Sequence, residues 1–144
     1  MGWSGYKNHC YKLVKRAAKW EEAKKQCEQL GANLASITSY GEANFINTII
    51  TDAPVGKWGV HFVWFGLHRN GGFEKFTDGS KVSYANWEPG QPNDKRHLFS
   101  GYEGQDCVGI YSKTGRGIHT PVHKGQWNDD QCYRTFPFIC KRPK

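Results

Sequence analysis

Five cysteines, Cys10, Cys27, Cys107, Cys132 and Cys140, carry the most constrained chemistry in this 144-residue sequence. None stands in a C-x-x-C pair and no H-E-x-x-H or Cys/His knuckle occurs, which argues against a structural zinc site. Scattered cysteines in so short a chain fit disulfides made in an oxidising compartment. Four can pair. The fifth is then a free thiol, an intermolecular bridge, or a residue whose partner lies outside the sequence. The remaining reactive groups point away from catalysis: there is no G-x-S-x-G nucleophile elbow and no G-x-x-x-x-G-K-[ST] phosphate loop. Asp129 and Asp130 form a carboxylate pair, but hydrolytic carboxylates flank a scissile bond, and neighbours in a tight loop rarely converge on one. His97, His119 and His123 read as surface histidines, whose protonation near about pH 6 would weaken binding of any ligand they border.

The elements that must position these groups follow from patterning. Lys19 to Leu30 places Trp20, Ala23, Cys27 and Leu30 on one helical face, with Gly31 as a stop. A second helix is expected over residues 39–50, where Ala43, Ile46 and Ile50 share a face and Pro54 prevents continuation. After residue 54 come short strands, HFVWFGL and CVGIY, with turn signals at Asn70-Gly71-Gly72 and Asp78-Gly79. Tyr84 to Asp106 has no usable periodicity and reads as a long irregular loop, a length that is usually functional. The order, helices first and strands afterward with one core, gives the class α+β. The longest apolar stretch, Val60–Leu67, is far short of the roughly 20 residues that cross a bilayer. No signal-peptide pattern opens the sequence, so Met1 begins either a cytosolic chain or a mature fragment, and the cysteines favour the second. No Asn-x-Ser/Thr sequon is present.

Several separated motifs give the whole length a family likeness. Trp64-Phe65-Gly66-Leu67 matches a W-I-G-L core strand, Trp127-Asn128-Asp129 is an intact W-N-D, and Gln91-Pro92-Asn93 stands where an Glu-Pro-Asn or Gln-Pro-Asp tripeptide is kept. On these residues the sequence resembles a C-type lectin domain. The resemblance implies an α+β fold of two helices on small antiparallel sheets, a single domain over 1–144, and a ligand-loop region at 85–106 and 113–131. It also implies disulfides Cys27–Cys140 and Cys107–Cys132, with Cys10 left unpaired. Residues 1–10 then look like the remnant of an N-terminal hairpin whose first cysteine falls ahead of Met1, with an interchain disulfide as the other reading of Cys10.

The same resemblance implies function: no enzyme, but a secreted or extracellular module that binds glycans through one calcium ion. Calcium takes 6 to 8 oxygens from carboxylates, amide carbonyls and backbone. The ligands carried over are Gln91, Asn93, Asn128, and the side chain and backbone carbonyl of Asp129. Glu103 or Gln105 fills the position where the family keeps an acid. Gln91, Asn93 and Asn128 are neutral, so the expected affinity is weak, sub-millimolar to millimolar. The second calcium site of some members needs acids just after the W-I-G-L strand, where this chain has His68-Arg69-Asn70-Gly71-Gly72, so one site is expected.

Side chains that hold calcium can also bond sugar hydroxyls, which adds Gln91, Asn93, Asn128 and Asp129 to the ligand-binding set. Lys95, Arg96, His97, Phe99 and Tyr102 follow the tripeptide and join it, the two cations being able to read sulfate or sialic acid. No Trp follows the tripeptide to stack on galactose, so mannose-, fucose- or GlcNAc-type ligands are favoured. The alternative reading is a lectin-like module that binds a protein or other surface ligand without calcium. Weak monovalent sugar binding gains from clustering, which suits a homo-oligomer. The net charge of +7 and pI near 9.2 would by themselves nominate nucleic acid. However, residues 7–25 hold seven Lys or Arg against two Glu and residues 141–144 add three more bases, so the excess sits at the termini and nucleic acid is not expected.

Overall fold

A computed structural model describes residues 2–56, 59–69, 73–89, 107–116 and 121–144. The chain opens with strands β1 (Ser4–Tyr6) and β2 (His9–Ala18). Helix α1 (Trp20–Gln29), β3 (Asn33–Leu34) and α2 (Tyr40–Ile50) follow. The rest is β4 (Phe62–His68), β5 (Cys107–Tyr111), β6 (Gly115–Arg116), β7 (Pro121–Val122), β8 (Trp127–Asp130) and β9 (Phe136–Pro143). Two strands therefore precede the helices, against the expected order of helices first. Lys12, Lys15 and Arg16 interrupt the apolar alternation of β2, yet its Tyr11 is buried and the strand pairs with β9 from His9↔Pro143 to Val14↔Phe138. That pairing gathers both basic termini on one side.

Both expected helices form, and for the expected reasons. Trp20, Ala23 and Cys27 are buried on α1, and just past its end Gly31 takes φ +73°, a conformation that glycine adopts without strain and that stops the helix. Leu30 departs from the pattern: it lies past the last helical residue and is exposed. On α2 the Ser39 hydroxyl caps the Glu42 amide at 3.1 Å, and Ala43, Ile46 and Ile50 face the core.

The sheet runs β1-β2-β9-β4-β5-β8, with β3 also paired to β9, and its pairings are antiparallel except the contact of β4 with β9 at Trp64↔Phe138. The small antiparallel sheets of the expectation are thus fused into one sheet of seven strands, beside the separate β6–β7 ribbon. Phe62 through Leu67 are all buried because both faces of the sheet are covered. Val63, Phe65 and Leu67 pack with Ile46, Ile50, Ile139 and Trp127 under α2. Phe62 and Trp64 pack with Trp20, Ala23, Cys27, Phe136 and Phe138 under α1. Trp64, expected in the core, is 0% exposed and donates its indole N–H to the Ala18 carbonyl at 3.1 Å.

Gly66 is required in this layer. A Cβ there would lie 2.6 Å from the Leu34 carbonyl oxygen and 3.0 Å from that of Ala35. Both disulfides form as the resemblance implied: Cys27–Cys140 fastens α1 to β9, and Cys107–Cys132 fastens β5 to the turn after β8. Cys10 is free.

Candidate functional site

Strand β8 is the last strand on the sheet's path, and its position is set by Trp127. The indole is 1% exposed and meets the rings of Phe65, Tyr84, Trp87 and Phe76 at centroid distances of 4.8 to 6.4 Å. Burial of so large a ring contributes on the order of 5 kcal/mol. Trp87 is a packing residue in this cluster, edge-on to both Trp127 and Phe73. On its inner side β8 pairs with β5, Gly109 opposite Asn128 and Val108 opposite Asp129. On its outer side the Trp127 amide donates to the Asn86 carbonyl and the Glu88 amide donates to the Trp127 carbonyl, each at 2.8 Å.

The backbone alternation of an antiparallel strand then directs the Asp129 carbonyl to that same outer side, where residues 86–88 have just been tied down. Side chains alternate as well. Trp127 and Asp129 leave the face under α2, and Asp129 is 0% exposed. Asn128 and Asp130 leave the face under α1. Asp129 and Asp130 therefore diverge, which removes them as a convergent catalytic pair.

Asn128 is held by a short chain of polar groups. Its Nδ2 donates to the Tyr111 hydroxyl at 2.8 Å, and Tyr111 donates to Glu88 Oε2 at 3.3 Å. Burial first, and the Glu88 charge second, push the Tyr111 phenol far above its ordinary range, so it stays protonated and able to donate. Asn128 Oδ1 is buried and receives no hydrogen bond among the described residues, and neither does Oε1 of Gln131. A buried amide oxygen without a donor costs about 1–3 kcal/mol, and a hard cation seeks that type of atom. The donor chemistry of Asn128 and of the Asp129 carbonyl thus fits calcium. Asp130 is otherwise engaged: its Oδ1 accepts from the Gln131 amide at 2.7 Å and lies 3.4 Å from Arg134 Nε. Burial pushes its carboxyl up from the ordinary range.

Of the residues expected at the site, the structure describes Asn128 and Asp129. Gln91, Asn93, Lys95, Arg96, His97, Phe99, Tyr102, Glu103 and Gln105 lie outside the described residues, as does His119. His123 is exposed, as expected. Among the described residues no three His, Cys, Asp or Glu side chains gather to hold a metal, which is unsurprising for a ligand set built largely from amides and a backbone carbonyl. Sequence reasoning missed Glu88 and Tyr111. They are 23 residues apart and meet only because Glu88 is bridged to β8 while Tyr111 stands on β5. The signal available was an acid wedged between Trp87 and Pro89, next to the irregular loop.

Two helices packed on one sheet, with one disulfide stapling α1 to β9 and a second stapling β5 to the turn after β8, and a polar site at the edge strand, define a binding module of the C-type lectin fold rather than an enzyme. Residues 16–142 match the family model described as the lectin C-type domain, and the chain belongs to that family. It is 35% identical over 143 residues to human C-type mannose receptor 2, an alignment that covers 97% of this chain and 8% of the receptor. The chain thus spans less than a tenth of the length of that relative. Among solved structures it is similar to the carbohydrate-recognition domain of the human scavenger receptor C-type lectin. There the TM-score is 0.77 and the identity 28%, over 99% of this chain and 97% of the other. It is also similar to a calcium-independent type II antifreeze protein, with a TM-score of 0.74 and 25% identity over 99% and 92% of the two chains. No helix is long and apolar enough to cross a membrane among the described residues.

Proposed function

We propose that this domain binds glycans through one calcium ion at the outer edge of β8, in an extracellular or secreted setting. The observation that carries the reading is the Asn128 carbonyl oxygen, buried on an edge strand with no hydrogen-bond donor among the described residues. Asn128 and Asp129 leave opposite faces of β8, so an ion shared by both side chains and the Asp129 carbonyl would lie at the strand's edge, between the two faces. Covalent reach favours the remaining ligands. Gln91 follows Glu88 by three residues, at most about 11 Å of chain, and Gln105 precedes Cys107 by two, at most about 7 Å. Glu88 is bridged to Trp127 and Cys107 is paired with Asp130, so both segments are tethered to β8.

When bound, calcium would complete its shell with a pair of sugar hydroxyls, and the amide side chains would donate N–H bonds to them. Mannose-, fucose- and GlcNAc-type sugars are favoured over galactose, consistent with a relative named for mannose and with the residues Asp94-Lys95-Arg96 after the tripeptide. The tripeptide's amides leave few negative charges to offset the ion, which supports weak calcium affinity. They also motivate the second reading, a calcium-independent module for a protein or other surface ligand. That reading gains from Gln105 at the position of the family's acid and from the likeness to a calcium-independent protein.

Chromatography on mannose- and galactose-agarose separates the two. Retention in calcium with release by EDTA is the expected result, and Asn128→Ala should abolish retention while leaving the melting temperature within a few degrees of wild type. Retention that chelator does not reverse would overturn the calcium reading.

A further inference from the structure

The hydrogen-bond chain from Glu88 through Tyr111 to Asn128 has a direction, and the direction follows from what each group can donate. An ionised carboxylate only accepts. Facing Glu88 Oε2 at 3.3 Å, the Tyr111 hydroxyl must spend its single proton there. Its oxygen can then only accept from Asn128, 2.8 Å away. The Asn128 amide must therefore present its NH₂ to Tyr111, which turns its carbonyl oxygen the other way and leaves it buried without a donor among the described residues. If the amide rotated by half a turn, Oδ1 would face a hydroxyl with no proton left to give, and the NH₂ would take the position that suits a cation least.

Both groups behind Asn128 are fixed. Tyr111 packs against Phe62 at 5.3 Å, and Phe62 is held by Phe136 at 4.9 Å and Trp64 at 5.7 Å. Gly109, the residue opposite Asn128, leaves room for that ring, since a Cβ there would meet Phe62 atoms at 2.3 to 2.8 Å. Glu88 is 8% exposed and its amide is tied to the Trp127 carbonyl at 2.8 Å. Asp130, the next acid along β8, has partners of its own: its Oδ1 accepts from the Gln131 amide at 2.7 Å and lies 3.4 Å from Arg134 Nε.

We infer that Glu88 and Tyr111 are positioning residues that lock the Asn128 amide with its carbonyl oxygen turned away from Tyr111 as a preformed cation ligand. This rests on the calcium reading above. The lock sets amide orientation before any ion arrives, and the negative charge behind it polarises the amide so that Oδ1 is the more electron-rich. It also supplies charge near a site whose own ligands are mostly neutral, the role that groups behind the ligands serve in metal centres generally.

The test uses the intact protein with Tyr111→Phe and Glu88→Gln, calcium titrated calorimetrically and the calcium-free melting temperature read alongside. Tyr111→Phe keeps the ring against Phe62 and should weaken calcium at least about tenfold. Glu88→Gln, whose amide can donate or accept, should weaken it by less. A purely structural role would lower the melting temperature and leave the calcium affinity unchanged, which would overturn the inference. The orientation is read separately in the calcium-free protein from the Asn128 side-chain NH₂ by NMR. Its protons should exchange slowly in wild type and quickly in Tyr111→Phe, and equal exchange in both would overturn the lock. If wild type takes up no calcium, the calcium reading and the cation role of the lock fall together, while the exchange result still decides whether the lock exists.

Discussion

Replacing Lys141 by Met would leave a buried carboxylate without its counter-charge, and the structure sets the size of the loss. Lys141 Nζ lies 2.6 Å from Glu42 Oε2, and the two side chains are 8% and 5% exposed. Removal of one partner from such a pair costs about 3–5 kcal/mol. Glu42 would keep the Thr38 amide at 2.7 Å, the Thr38 hydroxyl at 3.1 Å and the Tyr11 hydroxyl, so the lower end, about 3 kcal/mol, applies. Part of that loss falls on Ser36, whose hydroxyl accepts from Lys141 at 2.9 Å and donates to Asp78 at 2.5 Å. For a domain of this size the melting temperature should fall by about 10 °C.

The assay is thermal and urea unfolding with the disulfides intact. The double variant Lys141→Met/Glu42→Gln, which removes both charges, should recover at least about 1 kcal/mol relative to the single one. A pH arm adds a sign. Burial alone would raise the Glu42 carboxyl, but hydrogen bonds from Lys141, Tyr11 and the Thr38 amide outweigh it and hold it below the ordinary 4.5. A depressed folded value means that the stabilisation is present above about pH 4.5 and is lost as pH falls through the folded value. Wild type should thus lose stability on acidification more steeply than Lys141→Met. A single variant costing under about 1 kcal/mol, or a double variant worse than the sum of its parts, would refute the reasoning.

Further outcomes follow from the covalent and steric frame. Cys27→Ala/Cys140→Ala opens a link across 113 residues and should cost about 4–5 kcal/mol, against about 3 for Cys107→Ala/Cys132→Ala across 25, both read from urea midpoints. Gly66→Ala places a methyl group against two backbone carbonyls that cannot move aside. It should destabilise by about 1–3 kcal/mol or prevent expression of folded protein, as circular dichroism would show.

Periodicity carried the helices because apolar residues at 20, 23 and 27 and at 43, 46 and 50 have no other reason to recur at that spacing. It failed at Leu30, where the αL glycine ends the helix before the pattern does. It failed at β2 because Lys12, Lys15 and Arg16 dilute an alternation that only pairing with β9, more than a hundred residues away, makes visible. Runs of β-branched and aromatic residues marked β4 and β5, and the family resemblance supplied both disulfide pairings. Glu88 and Tyr111 were illegible for a different reason: a side chain bonded across 23 residues leaves no local pattern, and its direction depends on which partner holds the proton.

The most direct measurement is a wide glycan array probed with the wild-type domain, once in millimolar calcium and once in EDTA. Calcium held at the edge of β8 predicts binding to mannose-, fucose- or GlcNAc-type glycans that vanishes with chelator. Silence across the array in calcium, or the same binding pattern in EDTA, would contradict it.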